Sequence, residues 1–220
     1  MKIRAIITGA TGMVGEGVMH ECLQQPDVEQ VLLINRKPSG VSHPKVKEII
    51  HKDFFDLSAI ESQLSGYNAC FFCLGVSSVG MKEDEYRHLT YDLTLHVAQT
   101  LSRLNPDMTF GYISGAATDS IEKGSSMWAR VKGATENALM RLPFKKAYMF
   151  RPGFMKPTPG LKNTLVYYKY INWLYPIGRA LYPAGFSTLQ ELAQAMIKSA
   201  SIGYEKPVLE VKDIVKLANR

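Results

Sequence analysis

Three glycines follow the first apolar segment of the chain at a spacing that suits phosphate binding. Residues 3–8 have the pattern of a buried strand, and the next residues, TGATGMVGEG, place Gly9, Gly12 and Gly15 before an amphipathic helix at 13–24. Gly9 can adopt a backbone conformation closed to other residues, Gly12 leaves room for a pyrophosphate group, and Gly15 lets the helix pack on the strand. Because the first turn of a helix also presents free N–H groups to phosphates, the pattern predicts dinucleotide binding rather than a purely structural turn.

The residues that end the second predicted strand bear on the choice of dinucleotide. Sites that prefer NAD usually carry Asp or Glu about 20 residues after the glycine motif, where the carboxylate holds the ribose hydroxyls. This chain has Asn35, Arg36 and Lys37 there. Since Arg36 can pair with a 2′-phosphate, we predict NADP(H) as the cofactor, with NAD(H) less favoured; two solvated loop cations are the alternative. Asp53, after the third predicted strand, is placed to meet the adenine or to cap its own loop.

A predicted helix at 125–141 carries two side chains whose spacing suits an active site. Lys132 follows Trp128 by four residues, so the two side chains share one face of the helix. A tyrosine in place of Trp128 could give up a proton, whereas an indole cannot. The segment therefore has the form of an active-site turn that lacks its acid.

An alternation of strands and helices must position these residues. Apolar strands are predicted at 3–8, 31–35, 46–50, 69–74, 108–114 and 147–150. Helices are predicted between them at 13–24, 57–65, 84–103 and 125–141. Continuous apolar strands that alternate with helices are typical of an α/β fold, here a Rossmann-like doubly wound parallel sheet with helices on both faces. The 220 residues suit a single domain, 1–220, in which 152–205 is a small, mostly helical region on the substrate side.

Six segments together resemble the short-chain dehydrogenase/reductase superfamily. They are TGATGMVG, INR after the second strand, CLG at 73–75, YISGAA at 112–117, VKGATEN at 131–137 and RPG at 151–153. Within the superfamily the chain is most similar to the atypical branch of Tat-interacting-protein-like oxidoreductases, which is also described as epimerase/dehydratase-like. The resemblance is good over residues 1–155 and loose over the remainder.

The resemblance implies roles for the helix at 125–141 and for the strand before it. In the superfamily a Ser polarises the substrate carbonyl, a Tyr transfers the proton, and a Lys four residues later lowers the Tyr pKa and holds the nicotinamide ribose. By position Ser114 matches the Ser, Lys132 the Lys and Trp128 the Tyr. Thr90 takes a fourth polar position on the preceding long helix. A general acid contributes about 10²–10⁴ in rate, so another group would have to replace the Tyr; the candidates are Ser114, Ser125, Ser126, Tyr86 and a Tyr within 167–175.

The glycine pattern and the resemblance together give a predicted cofactor-binding set. Its members are Gly9, Thr11, Gly12, Met13, Val14, Arg36, Lys37, Asp53, Phe54, Cys73, Leu74, Gly75, Lys132, Arg151 and Pro152. Two functions are compatible with this set. The first is an NADP(H)-dependent oxidoreductase acting on a small carbonyl or alcohol substrate with an altered proton donor. The second is a catalytically silent NADP(H)-binding sensor or regulatory protein, a use of this fold that NmrA-like regulators illustrate.

Composition and charge argue against several other classes of protein. The net charge is +6 and the pI about 9.1, but the Lys and Arg residues are scattered without a recognition motif, so we expect no nucleic-acid partner. No signal peptide is indicated and no segment reaches the ~20 apolar residues that span a bilayer, so we expect no stable membrane insertion. Three cysteines do not suggest a disulfide framework, which favours a cytoplasmic location. The histidines lack metal-ligand spacing, and we expect no metal site.

Two further segments leave alternatives open. Cys70 and Cys73 form a C-x-x-C within a predicted strand, where small core residues are favoured over a redox pair. The segment 165–175 is rich in aromatic residues. It either roofs the substrate pocket and packs on the domain, or exposes an apolar face for a homodimer or a membrane surface. These aromatics are Tyr167, Tyr168, Tyr170, Trp173 and Tyr175.

Overall fold

Seven parallel strands form a central sheet in the part of the chain that the computed structural model describes, residues 2–164, 168 and 172–220. The strands are, in chain order, β1 (Ile3–Thr8), β2 (Val28–Asn35), β3 (Val46–Ile50), β4 (Ala69–Phe72), β5 (Thr109–Ile113), β6 (Lys146–Arg151), β7 (Phe154–Lys156), β8 (Phe186–Thr188) and β9 (Val208–Glu210). The central sheet has the order β3-β2-β1-β4-β5-β6-β9, and β7 pairs separately with β8. The predicted Rossmann-like parallel sheet is confirmed.

Helices cover both faces of this sheet. They are α1 (Met13–Gln24), α2 (Glu83–Arg87), α3 (Leu93–Leu104), α4 (Met127–Leu139), α5 (Tyr175–Leu181), α6 (Leu189–Ser201) and α7 (Val211–Ala218). One core joins α1, α6 and α7 to strand residues such as Ile7 and Phe71, and the other joins α3 and the end of α4 to Ile6 and Phe72. Because side chains alternate along a strand, continuous apolar strands supply both cores. None of the described helices has the length and apolar character needed to cross a membrane.

Some elements differ from those predicted. The sequence predicts a helix at 57–65, but the structure has only a 3₁₀ turn at Glu61–Gln63. The Asp56 carboxylate accepts the Ser58 N–H at 2.9 Å, and such a local bond competes with helix formation. The long predicted helix at 84–103 is present, but it passes through a π-helical turn at His88–Asp92 between α2 and α3. The sequence does not predict β7, β8 or β9, because three residues carry too little periodicity.

The strand order opens a crevice between the carboxyl ends of β1 and β4. Strand β1 pairs with β2 on one side and with β4 on the other, so the chain changes direction across the sheet at this point. In open parallel sheets, ligands bind outside the carboxyl ends of the strands at such a switch point. The glycine turn follows β1 and residues 73–75 follow β4, so two predicted cofactor segments meet there.

The region 152–205 is tied to the main sheet by its last helix. Helix α6 begins with a capping box, in which Thr188 and Glu191 each accept the other's backbone N–H. Gly17 in α1 allows a close approach, since a Cβ there would lie 2.5 Å from the Leu189 side chain. The region 152–205 therefore rests on the same helix that follows the glycine turn.

The aromatic segment 165–175 is partly buried and partly exposed where it is described. The rings of Tyr168 and Tyr175 are buried and lie 5.3 and 6.3 Å from that of Phe154, so this part packs on the domain. Trp173 is 67% exposed. Tyr167 and Tyr170 lie outside the described residues.

A close backbone contact fixes the loop between β5 and α4. The Asp119 carboxylate accepts backbone N–H groups of Ile121 and Gly124 at 3.0 and 2.6 Å, which folds the loop on itself. The backbone of Asp119 then lies against α4, where a Cβ on Gly133 would come within 1.8 Å of the Asp119 carbonyl oxygen. Only glycine permits this approach, so Gly133 sets the position of the loop over the helix that carries Lys132.

We therefore expect Gly133→Ala to destabilise the protein. The added methyl group forces the loop off α4, at a cost of about 1–3 kcal/mol, although Ala favours a helix more than Gly does. Urea unfolding followed by circular dichroism measures the difference. Gly75→Ala is the matched control, because a Cβ there meets nothing within 4 Å. Equal stability of the two variants would show that the loop is not fixed by this contact.

Candidate functional site

The glycine turn after β1 is packed tightly on the neighbouring strand end and on its own helix. Gly9 has φ +71, and a Cβ there would lie 2.7 Å from the carbonyl oxygen of Cys73. A Cβ on Gly15 would lie 2.2 Å from the Gly9 carbonyl oxygen. The turn closes with a hydrogen bond from the Gly12 N–H to the same oxygen, at 3.0 Å. Gly9 and Gly15 are thus required by the protein's own packing.

Gly12 is different, because nothing in the protein requires a glycine there. Its backbone is extended, with φ −106 and ψ 164, which any residue can adopt. The nearest atom to an added Cβ is the Gly9 carbonyl oxygen at 3.5 Å, an ordinary contact. Gly12 also precedes the first turn of α1, where N–H groups such as those of Met13 and Val14 have no intrahelical partner. A glycine that leaves space at a helix N-terminus fits a bound pyrophosphate.

A cavity of about 180 Å³ lies beside the ends of β3 and β4. Its size and its mixed apolar lining suit a nucleotide base, and we call it the base cavity. The Asp53 carboxylate at its edge accepts the Phe55 N–H at 2.9 Å, so this residue caps its own loop as well as facing the cavity. The lining residues include Arg36, Asp53, Phe54, Leu74, Gly75 and Leu89.

A wider groove of about 640 Å³ adjoins this cavity and is cationic. It is lined by Thr11, Arg36, Lys37 and Lys52. The three cations are exposed, and the ion pairs found among the described residues do not include them. The sequence analysis singled out the first two cations but not Lys52. The sequence could have indicated Lys52 by its position next to Asp53, just after β3, because β3 ends beside β2.

Asn35 holds the glycine turn rather than a ligand. This buried residue at the end of β2 accepts the Ala10 N–H on Oδ1 at 3.2 Å and donates from Nδ2 to Glu48 Oε1 at 2.8 Å. The same Glu48 oxygen accepts the Ser39 N–H at 2.9 Å. The turn, β2 and β3 are therefore joined by one chain of hydrogen bonds.

Lys132 and Trp128 lie one turn apart on α4, facing the end of β5. The Lys132 ammonium donates to the carbonyl oxygens of Ser114 and Ile113. Burial lowers the pKa of Lys132 to about 8, although the charge of Glu136 opposes the shift. Gly115 lies beside the indole, since a Cβ there would be 3.9 Å from Cζ3 of Trp128. The site therefore brings together an ammonium with a pKa near neutrality and an aromatic ring.

The Ser114 hydroxyl is used inside the protein. It donates to Glu136 Oε1 at 2.5 Å and lies 3.1 Å from the Phe150 carbonyl oxygen. Ser114 itself is buried. Its predicted role was to polarise a substrate carbonyl, but in this arrangement the hydroxyl proton already has an internal acceptor.

The Arg151 guanidinium is likewise committed to internal partners. It donates from Nε and Nη2 to the two oxygens of Glu136 at 3.0 and 2.5 Å, and from Nη1 to Glu210 at 3.0 Å. Burial alone would lower the pKa of Arg151, but the hydrogen bonds to Glu136 raise it above its usual value. Pro152 accepts the Ala116 N–H on its carbonyl oxygen at 2.9 Å. The structure thus gives Arg151 and Pro152 structural partners within the protein, and their predicted cofactor contacts stay predictions.

Glu136 is the functional neighbour that sequence reasoning missed. Its side chain is fully buried on α4, one turn after Lys132. The signal in the sequence was an acid among small and apolar residues in ATENAL (134–139), a pattern that indicates a buried helix face. A fully buried carboxylate needs a charged partner, and Arg151 was the available cation on the next strand.

The other candidate acids are placed as follows. Ser125 and Ser126 are exposed just before α4. Tyr86 is buried, and burial raises its pKa, which weakens it as a proton donor. Thr90 is also buried and lies within the π-helical turn at His88–Asp92, a kind of irregularity that is frequent at functional sites.

The two cysteines of the C-x-x-C motif lie on opposite faces of the sheet. Cys70 belongs to the core beside α3, and Cys73 packs against the core beside α1. Burial raises the pKa of both thiols. This arrangement supports the interpretation as packing residues rather than as a redox pair. Among the described residues, no three His, Cys, Asp or Glu side chains are grouped so that they could hold a metal ion.

Comparison with known proteins gives the family. The sequence profile of the NAD dependent epimerase/dehydratase family matches residues 5–120, which contain the glycine turn, the cationic groove and the base cavity. The chain belongs to this family. It is 24% identical over 212 residues to the protein FMP52-1, mitochondrial, of Scheffersomyces stipitis, covering 92% of this chain and 90% of that protein. It is 26% identical over 151 residues to HTATIP2 of Rattus norvegicus, covering 68% and 61%.

Solved structures of epimerase/dehydratase type share the fold. The Bordetella bronchiseptica enzyme WbmG in complex with NAD matches with a TM-score of 0.68 at 14% identity, over 99% of this chain and 77% of that one. A UDP-N-acetylglucosamine 4-epimerase from Methanobrevibacter ruminantium matches with a TM-score of 0.66 at 16% identity, over 98% and 81%. The predicted resemblance to the Tat-interacting-protein-like, epimerase/dehydratase-like branch is confirmed, and this epimerase/dehydratase family member has an NAD(P)-binding fold.

Gly12→Val should abolish dinucleotide binding in a folded protein. The new side chain fits the extended backbone but fills the space expected for the pyrophosphate. Calorimetric titration with NADPH, alongside thermal unfolding, separates the two effects. Gly15→Val is the matched comparison, since its Cβ meets the Gly9 carbonyl and should destabilise the fold itself. Unchanged affinity in folded Gly12→Val would mean that the position is not a phosphate contact.

Proposed function

We propose that this chain binds NADP(H) and acts as an oxidoreductase on a small carbonyl or alcohol substrate. The observation that carries the proposal is the cationic groove, where Arg36, Lys37 and Lys52 lie together beside the glycine turn. A carboxylate that would repel a 2′-phosphate is absent from the end of β2, which finishes in Asn35. Three cations around one groove match the charge of a phosphate monoester better than that of two ribose hydroxyls.

Different residues around the crevice would hold different parts of such a cofactor. The base cavity and the groove would take the adenosine end, and the N-terminus of α1 would take the pyrophosphate. Lys132, on α4 beside the end of β5, would hold the nicotinamide ribose. When bound, the nicotinamide supplies or accepts a hydride at the substrate carbon.

The proton in this proposal comes from Lys132. An indole cannot supply it, and Ser114 already donates to Glu136. The Lys132 ammonium, with a pKa of about 8, can protonate a substrate oxygen at neutral pH and recover its proton from solvent. Trp128 would then flank the substrate as a flat apolar wall.

A second function is favoured by one specific observation. Because the Ser114 hydroxyl is bonded to Glu136 and the Tyr position holds Trp128, two of the three side chains of a superfamily active site are unsuited to catalysis. A protein that binds NADP(H) without turnover, and whose bound state a partner recognises, would have this pattern. Turnover of NADPH with a panel of aldehydes, ketones and quinones distinguishes the two functions.

The location that we propose is the cytoplasm, on the grounds of cysteine usage. Cys22 and Cys70 are buried thiols without a disulfide. The FMP52 relatives carry the word mitochondrial in their names, so a mitochondrial location is the competing possibility. Fractionation of cells that express the tagged chain decides between them.

Arg36→Asp should reverse the preference between cofactors. A charge-assisted hydrogen bond contributes about 1.5–3 kcal/mol, which is roughly 10–100-fold in affinity for NADPH over NADH. Calorimetry with both dinucleotides measures the ratio. Arg103→Asp is the control, since this exposed arginine is paired with Glu61 at 2.9 Å outside the groove. Equal affinity of the unchanged protein for NADH and NADPH would contradict the assignment.

Trp128→Tyr should raise carbonyl reduction with NADPH by at least about tenfold, the low side of what a general acid contributes. The phenol restores an acid one turn before Lys132, while affinity for NADPH should stay within a few-fold. Trp128→Phe, which restores no acid, is the control. Lys132→Ala should weaken cofactor binding in either function. Brisk turnover by the unchanged protein with no gain from Trp128→Tyr would show that the unchanged protein already has a fully effective acid and that position 128 does not limit reduction.

The pH profile tests Lys132 as the acid. Because the protonated ammonium is the active form, kcat/KM for reduction should fall as pH rises through about 8, the pKa of Lys132. Above that pH the decline should approach tenfold per pH unit. In Trp128→Tyr the descending limb should move to the pKa of the new phenol. A flat profile between pH 7 and 10 in the unchanged protein would exclude Lys132.

A further inference from the structure

Helix α5 exposes an apolar face that the nucleotide site does not use. The exposed apolar residues begin in the short 3₁₀ turn at Asn172–Leu174, continue along α5 and end just past it. Trp173, Ile177 and Leu181 recur at intervals of four residues, which aligns them along one side, and Leu174 and Tyr182 flank them. We call this set the outer face; it comprises Trp173, Leu174, Ile177, Leu181 and Tyr182, exposed to 67%, 42%, 52%, 81% and 63%.

The opposite side of α5 is firmly packed, so the outer face is held outward. Tyr175 is buried with its ring 6.1 Å from that of Phe186. Gly178 allows the same Phe186 ring to approach, since a Cβ there would lie 2.3 Å from it. Arg179 donates to both oxygens of Glu191 at 2.8 and 2.7 Å, which ties α5 to the start of α6. The exposed side chains cannot turn inward without breaking these contacts.

The segment of sequence that carries the outer face contains cations but no acids. The chain has 20 Asp and Glu residues among 220, but none between positions 152 and 190. The same stretch contains four cations, Lys156, Lys162, Lys169 and Arg179, of which Lys169 lies outside the described residues. Glu191, the first acid after it, is paired with Arg179. An apolar surface on a segment that carries cations and no acids of its own suits an anionic partner.

We propose that the outer face of α5 docks on the surface of a bilayer that contains anionic phospholipid. Trp and Tyr favour the boundary between headgroups and acyl chains, and Leu and Ile favour the acyl side of that boundary. Lys side chains beside such a face are attracted to anionic headgroups. A short, rigidly mounted helix with Trp173, Ile177 and Leu181 pointing outward has the form of an interfacial anchor that lies on the membrane without crossing it.

The charge pattern favours a bilayer over a second copy of the chain. In a symmetric dimer through this face, the cations of one copy would meet those of the other. Like charges across an interface are unfavourable, and the stretch offers no unpaired acid to compensate them. An anionic bilayer removes this conflict and covers the same apolar side chains.

Vesicle flotation with the full chain tests the proposal. The protein should float with vesicles of phosphatidylcholine and phosphatidylserine, and float less with phosphatidylcholine alone or at high salt. Ile177→Ser combined with Leu181→Ser should lower the partition coefficient at least about tenfold, because two aliphatic side chains no longer enter the lipid. Ile202→Ser is the matched control, since Ile202 is 62% exposed at the end of α6 and should float as the unchanged protein does. Thermal unfolding establishes that each variant is folded.

A second measurement locates the contact. The chain has two tryptophans, so Trp128→Phe leaves Trp173 as the reporter. Its emission should shift to shorter wavelength with anionic vesicles and be quenched by brominated lipid chains. Two results would overturn the proposal: equal flotation of the double variant and the unchanged protein, or concentration-dependent dimerisation that the double variant loses while neither protein binds vesicles. The second result would assign the outer face to another copy of the chain.

Discussion

The buried carboxylate of Glu136 is the group around which the carboxyl edge of the sheet is organised. A charge with no access to water needs partners of opposite sign and a full set of hydrogen bonds. Glu136 obtains them from Arg151 at the end of β6 and from Ser114 at the end of β5. Arg151 extends the connection to Glu210 at the start of α7. Two ion pairs and the Ser114 hydrogen bond therefore fix α4 against three strand ends, and removing Arg151 would leave a buried charge on Glu136 at a cost of about 3–5 kcal/mol.

This constraint determines what the residues of α4 can do. Lys132 and Trp128 precede Glu136 by one and two turns on the same helix, so their positions over the crevice depend on the ion pair. The glycine turn across the crevice is held by a different device, the packing of Gly9 on Cys73 and of Gly15 on Gly9. The two halves of the crevice are thus rigid for separate reasons. A ligand that spans them would join a polar network on one side to a backbone turn on the other.

The sequence was sufficient for those features that depend on local pattern. The strand-glycine-helix arrangement, the alternation of apolar strands with helices, and the cations after β2 are all short-range signals, and the structure places them where the pattern predicts. The hydrogen bonds of Ser114 and Arg151 to Glu136 were not predictable in this way, because Glu136 lies 22 and 15 residues from them along the chain. The outward orientation of Trp173 depends on how Gly178 and Phe186 meet, which periodicity does not describe. Helix α7 was within reach, since its buried Val211, Ile214 and Leu217 have helical spacing.

The hydrogen bond between Asn35 and Glu48 limits how the chain can change over evolutionary time. A carboxylate at the end of β2 is the usual means by which this fold comes to prefer NAD. In this chain, Asn35→Asp would set that new charge within hydrogen-bonding distance of the Glu48 carboxylate, where Nδ2 now donates at 2.8 Å. Asp could still accept the Ala10 N–H, but the two acids would repel each other. The substitution is therefore epistatic with position 48, and a lineage would gain a carboxylate at the end of β2 most easily by losing Glu48 first.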